Sequence, residues 1–189
     1  MKNIVFIFLL MYLFTGCENK KITHQETVTS YYKAFDSGDY NKIKALIDDS
    51  LTVVGGDFIM PFTPDSFYEQ FKWDSIFKPS YEILELEEKN NQIIATVASR
   101  SLRYAFLKNN PLTCRFAISF TSGKISKIED FEYIDANWNV WQKERDSLVQ
   151  WTKINHPELD GFINDLSMKG ALNYMQAIEL YEKNKHAEN

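Results

Sequence analysis

The chain is poor in the residues that usually betray chemistry. Its 189 residues include only two cysteines and three histidines. Cys17 closes an N-terminal apolar run, so Cys114 is left with no partner for an internal disulfide, and no CxxC pair suggests zinc. Cys114 lies in an alternating apolar segment and reads as a buried, inert thiol. His24, His156 and His186 lie far apart and form neither HxxxH nor HExxH spacing, which argues against a metal site. No GxSxG elbow, phosphate-cradling loop or GxGxxG fingerprint occurs, so no cofactor is expected. Positive charge is not in excess either. A net charge of −5 argues against broad affinity for nucleic acid. No internal repeat or low-complexity segment appears, and no second long apolar run follows the first.

What the chain does have is apolar and aromatic mass. At 44% apolar and 15% aromatic it can pack one domain with an extension, and it is too apolar to stay disordered. Lys2 gives a positive start, and Ile4 to Phe14 is unbroken and apolar. At about 11 residues that run is too short to span a bilayer, which needs about 20, but it fits the apolar region of an export signal. Leu13-Phe14-Thr15-Gly16-Cys17 resembles the lipobox of bacterial lipoproteins, with Phe14 standing where Leu is usual. The resemblance implies cleavage after residue 16 and acylation of Cys17. Several acyl chains on one residue anchor firmly, since each buried methylene contributes about 0.8 kcal/mol. Residues 17–22 would be a tether. The expected location is the bacterial envelope, lipid-anchored, on the outer membrane or cell surface of a Gram-negative cell.

Along the body, Thr23-x-x-Glu26 has capping-box spacing, and Val28, Tyr31, Tyr32 and Phe35 share one helical face up to Gly38. Asp39 can cap a second helix with Tyr40, Ile43, Leu46 and Ile47 inward. Leu51 to Val54 reads as a short strand ended by Gly55-Gly56. Thr63-Pro64 opens a third helix, with Phe67, Phe71 and Phe77 inward. From Ser80 the period becomes two. The pattern predicts strands over 81–88, 93–107, 112–121 and 124–133, with turns at Asn90-Asn91, 108–111 and Ser122-Gly123. Glu82, Glu85, Glu87 and Glu88 suit a solvated strand edge. The rest reads as helical. Trp138, Trp141, Leu148, Val149 and Trp151 mark one stretch. A second, restarting at His156-Pro157, carries Leu159, Phe162, Ile163 and Leu166, and a third follows Gly170 with Ala171, Tyr174, Met175, Ile178 and Tyr181. These aromatic stripes read as packing.

Specific residues then carry a family resemblance. Tyr31 to Tyr40 (YYKAFDSGDY), followed by Ile43, Leu46, Asp48-Asp49 and Val53, resembles the opening of nuclear transport factor 2-like domains. Phe120 to Ile125 (FTSGKI), followed by Ile128, resembles their final hairpin. The superfamily includes SnoaL-like cyclases, ketosteroid isomerases and many non-enzymes, and the match covers about residues 24–135. It implies an α+β fold: a curved antiparallel sheet wrapped around a long N-terminal helix as a cone-shaped, cystatin-like barrel. A hollow would lie between sheet and helices, with residues 136–189 as a helical extension outside the usual domain.

The resemblance also implies site residues. Tyr31 aligns with the tyrosine donor of ketosteroid isomerases. Gly55-Gly56 stand where their base lies, with Asp57 one or two residues late, and Phe116 stands where a second acid is needed, which disfavours a steroid-isomerase mechanism. Asp130 is expected to face the hollow from the last strand, sharing its face with Ile128 and Glu132, while Phe131 and Tyr133 face away. A carboxylate there needs a partner. Arg100 and Arg103 lie on opposite faces of the expected long strand, so at most one points in, and Arg100 is favoured. The expected ligand-binding set is Tyr31, Arg100, Tyr104, Phe116 and Asp130. Asp57, Asp130 and Tyr31 are weak candidates for catalysis.

Three functions follow. The leading one is a membrane-anchored binding domain for a small apolar ligand or an envelope protein partner, with a homodimer among its assemblies. The second is a lyase, isomerase or hydrolase using carboxylate acid–base chemistry. The third is a structural envelope component whose hollow is plugged by Phe58, Phe116 and Tyr104.

Overall fold

The structure, a computed structural model, describes residues 22–187, so the segment expected to be an export signal and the expected acylation site Cys17 lie outside the described residues. Helix α1 spans His24–Asp36. Its first turn is closed by the expected capping box: Thr23 Oγ1 accepts from the Glu26 amide at 3.1 Å, and the Glu26 carboxylate accepts from the Thr23 amide at 2.8 Å. Such a cap contributes about 0.5–2 kcal/mol. The buried face of α1 is Val28, Tyr31, Tyr32 and Phe35. Gly38 follows with φ +66°, a left-handed conformation that glycine adopts without strain. Asp39 caps α2 (Tyr40–Leu46) by accepting from the Lys42 amide.

Strand β1 (Ile47–Gly55) starts earlier than its sequence suggests and turns into β2 (Phe58–Phe62), a strand that the sequence reading does not contain. Its pattern explains the miss: Phe58-Ile59-Met60-Pro61-Phe62 has no apolar–polar alternation, and proline is tolerated there because β2 is an edge strand. Helix α3 (Pro64–Ser75) begins at the Thr63 cap with Pro64 in its first turn. Strands β3 (Ser80–Lys89) and β4 (Gln92–Arg100) meet at Asn90-Asn91, both at positive φ, as a tight hairpin requires.

The chain then departs from the expected long strand over 93–107. Ser101 caps a short helix α4 (Leu102–Phe106), its Oγ accepting from the Tyr104 amide at 3.1 Å. Strands β5 (Leu112–Thr121) and β6 (Lys124–Ile134) form the last hairpin about Ser122-Gly123.

The six strands lie in the order β2-β1-β6-β5-β4-β3. The sheet is mixed rather than wholly antiparallel, because β1 runs parallel to β6. A tight turn cannot join parallel strands, and here the chain from β2 through β5 intervenes between β1 and β6. Helix α1 touches β3, β4 and β6, so the sheet curves about it. Edge strand β3 carries Glu82, Glu85, Glu87 and Glu88, all exposed.

The extension begins with α5 (Trp138–Asn155). The expected restart at Pro157 is two single 3-10 turns, Pro157–Leu159 and Phe162–Asn164, separated by Gly161 at φ +87°. They sink Leu159 and Phe162 into the core but leave Leu166 58% exposed. Helix α6 (Met168–Ala187) lies so close to the preceding turn that a Cβ on Gly170 would sit 2.0 Å from the Asp165 carbonyl oxygen.

Two hydrophobic clusters result. One joins α1, α2 and the inner sheet face through Val28, Ile43, Leu51, Val97 and Ile118. The other joins the extension to the body: Leu148, Phe162, Tyr174 and Ile178 pack with Trp73 of α3, with Phe77 just after it and with Phe106 of α4. The aromatic stripes of the extension are packing. No helix among the described residues is long and apolar enough to cross a membrane.

Candidate functional site

The hollow between α1, α3 and the inner sheet face is a cavity of about 290 Å³. Its walls follow from the periodicities of the elements around it. Helix α1 contributes Tyr31, Tyr32 and Phe35; helix α3 contributes Phe67, Gln70 and Asp74; the sheet contributes Val53, Tyr81, Ser99, Phe116, Ile128 and Tyr133; Tyr104 comes from α4. Five tyrosines therefore face one space. Phe58, 75% exposed, points away from it and does not plug it, while Tyr104 and Phe116 form wall.

Asp74 is the cavity's carboxylate, and it was not among the residues expected from sequence. A signal was available: Phe67, Gln70, Phe71 and Asp74 stand at i, i+3, i+4 and i+7, so the acid lies on the apolar face of α3. Asp74 as a whole is half-buried, and protein surrounds its carboxyl group. Burial raises its pKa above the ordinary aspartate value. Attraction to Arg103 and a hydrogen bond donated by Gln70 Nε2 at 3.2 Å oppose that rise without cancelling it. The Arg103 guanidinium lies over Trp73 at 4.8 Å and over Tyr104 at 5.2 Å from the ring centres. Tyr31 and Tyr81 face the same acid. Burial, with repulsion from neighbouring groups that include Asp74, pushes both phenols above their usual value, so both stay protonated donors.

Asp130 lies at the rim, and its surroundings correct two expectations. Its Oδ1 accepts from the Gly56 amide at 3.0 Å, and its other oxygen accepts from the Tyr133 hydroxyl. Tyr133 reaches it because Phe131 is an extra residue in the β5–β6 pairing: Phe116 faces Asp130, but Arg115 faces Glu132. A bulge shifts the alternation by one. Tyr133 thus turns inward beside Asp130, opposite Cys114, and Glu132 turns outward to pair with Arg115 at 3.0 Å. Arg100 is no partner of Asp130. It sits on the outer face at the end of β4, exposed, and pairs with Glu82 at 3.0 Å, with β5 lying between its strand and β6. Asp57 is exposed at the tip of the β1–β2 hairpin and does not line the cavity. Of the expected residues, the structure brings Tyr31, Tyr104 and Phe116 onto one wall, places Asp130 at its edge, and excludes Arg100 and Asp57. Cys114 is buried. Its thiol is pushed up to about 12, first by burial and then by the nearby Asp130 charge, so it is unreactive at neutral pH.

The extension backs this site. Trp141 of α5 lies 5.7 Å from Tyr104, and Trp138 lies 4.9 Å from Tyr133, ring centre to ring centre. Asn109, buried in the loop after α4, accepts from the Asn137 amide at 2.7 Å and so fixes the start of α5.

Comparison with solved structures decides the fold. Bal32a, from a soil-derived mobile gene cassette, superposes with a TM-score of 0.53 at 18% identity, covering 66% of this chain and 98% of its own. A nuclear transport factor 2-like protein of unknown function from Cytophaga hutchinsonii gives 0.50 at 11% identity over 61% of this chain and 94% of its own. The body has a nuclear transport factor 2-like fold. A third neighbour, from Kribbella flavida and provisionally assigned as a ketosteroid isomerase, gives 0.50 at 9% identity, covering 60% and 79%. No protein-family model and no curated protein sequence matches the chain. At these identities the nuclear transport factor 2-like likeness concerns the fold, and function must be argued from the site.

Proposed function

We propose that the chain is a membrane-tethered lipoprotein whose body binds a small, largely apolar ligand in the tyrosine-lined cavity. The observation that carries the reading is that cavity: about 290 Å³, aromatic on most sides, with a few convergent polar groups, the usual character of a ligand site. The lipobox-like Leu13 to Cys17 supports the tether and the envelope location. Native purification followed by mass spectrometry of co-purifying small molecules tests the binding. A stoichiometric compound that is lost when Phe116→Trp fills the hollow is the expected result, and one that persists in that variant refutes the site. For the tether, Cys17→Ser should move the protein from the membrane to the soluble fraction and abolish labelling by palmitate.

A second reading is favoured by one observation. Asp74 has a raised pKa inside a cavity and faces Tyr31, which is how acid–base sites are built. On that reading the chain is a lyase, isomerase or hydrolase with Asp74, rather than Asp57 or Asp130, as its proton carrier. A pH–rate profile lost in Asp74→Asn would mark it.

A further inference from the structure

The ionisable groups around the cavity are unevenly distributed. Asp74 lines it, while no lysine, arginine or histidine does. Every other polar group on its wall is neutral: five tyrosine hydroxyls, the Gln70 amide and the Ser99 hydroxyl. The remaining surface is the faces and edges of aromatic rings, with Val53, Met60 and Ile128. Arg103 helps Asp74 from outside, held over Trp73 and Tyr104, and its attraction does not offset the cost of burying the carboxylate. At the rim Asp130 adds a second carboxylate, its two oxygens already occupied by Gly56 and Tyr133.

An anionic ligand entering this space would meet a carboxylate, with the nearest cation, Arg103, outside the lining and already held by Asp74 and the Trp73 and Tyr104 rings. A cation would complete the incomplete pairing of Asp74 and lie against ring faces, whose quadrupoles attract positive charge more strongly when water is excluded. From this distribution we infer that the cavity takes an organic ammonium ion: a small molecule with an apolar or aromatic skeleton and one protonated amine, the amine seated at Asp74. The inference rests on the binding reading above and narrows it to a ligand class.

The test uses three probes of one skeleton and different charge, 2-phenylethylammonium, 2-phenylethanol and phenylacetate, titrated calorimetrically at neutral pH into the full chain held in mild detergent. The ammonium should bind at least about tenfold more tightly than the alcohol, with phenylacetate weakest. Asp74→Asn should erase the preference, bringing the ratio of ammonium to alcohol near one, while an unchanged far-ultraviolet circular dichroism spectrum and cooperative thermal unfolding report that the variant is folded. An alcohol that binds the unaltered protein as tightly as the ammonium overturns the inference but leaves the pocket intact. A preference for phenylacetate, or an ammonium preference that survives in Asp74→Asn, also overturns it. Absence of heat with all three probes overturns the inference and the binding reading together.

Discussion

The molecule has two hydrophobic centres, and they are built to different standards. In the extension, Phe162, Tyr174, Ile178 and Leu148 fill their space, and Phe162 and Tyr174 meet at 4.8 Å between ring centres. In the body the rings also meet, Tyr31 and Phe35 at 5.1 Å between ring centres, yet a space among them stays open. Tyr31, Tyr104, Phe116 and Tyr133 surround a hollow into which an acid projects. A packed interior loses dispersion contacts wherever a gap is left, so a gap of this size is a cost that the surrounding structure must offset. The extension contributes to that offset by holding two wall tyrosines from behind, through Trp138 and Trp141. Residues 136–189 therefore serve the site without lining it.

Substitutions can break or sharpen the contrast. Phe162→Ala should be the most damaging, costing about 3–5 kcal/mol, because it opens a void in the filled centre; Phe116→Ala, at a wall that already borders empty space, should cost clearly less in the same urea titration. Equal losses would show that the hollow is absent in solution. Gly170→Ala should cost about 1–3 kcal/mol by overpacking. Its new methyl would press on the Asp165 carbonyl that accepts a hydrogen bond from Trp73 Nε1 at 3.2 Å, so thermal unfolding followed by tryptophan fluorescence should register it.

Asp74→Asn should act in the opposite direction. A buried acid with a raised pKa binds its proton more tightly folded than unfolded, so its contribution falls as pH rises from the unfolded aspartate value through the folded one. At pH 7 the carboxylate is a burden on the fold, and the amide should raise Tm by about 2–4 °C, what roughly 1 kcal/mol gives in a chain of this size. The gain should vanish at acid pH. Groups facing Asp74 are Arg103, Gln70, Tyr31 and Tyr81. Tyr133→Phe should be the smallest, about 1 kcal/mol or less, since its bond to Asp130 lies at an exposed rim; faster amide exchange at Gly56 would be its signature. A thiol reagent should leave Cys114 unmodified until the chain unfolds.

Much of the body was legible because its signals are local. The Thr23 and Thr63 caps, the Asn90-Asn91 and Ser122-Gly123 turns and the inward stripe of α1 each depend on residues within one turn of each other. The periods turned Tyr31 and Phe116 inward, and the family resemblance made them candidates for the wall of the hollow. What escaped was non-local or broke a period. Strand β2 has no alternation of its own and exists by pairing with β1. Residues 101–107 look extended until Ser101 caps a turn. The pairing proposed for Arg100 failed because β4 turns Ser99, not Arg100, toward the hollow, and β5 separates β4 from β6.

The chain's own letters determined the periods, the caps, the turns and a tyrosine-faced first helix, because each rests on sterics and hydrogen bonds within a few residues. The helical period puts Asp74 on the apolar face of α3, but only the tertiary structure decided that this face opens on the hollow. Asp74, Asp130 and Asp57 are the same residue type on a helix, a strand and a turn, and the packing of α3 against the sheet, the place of β6 beside β1 and the exposed tip after β1 give one the interior, one the rim and one the solvent.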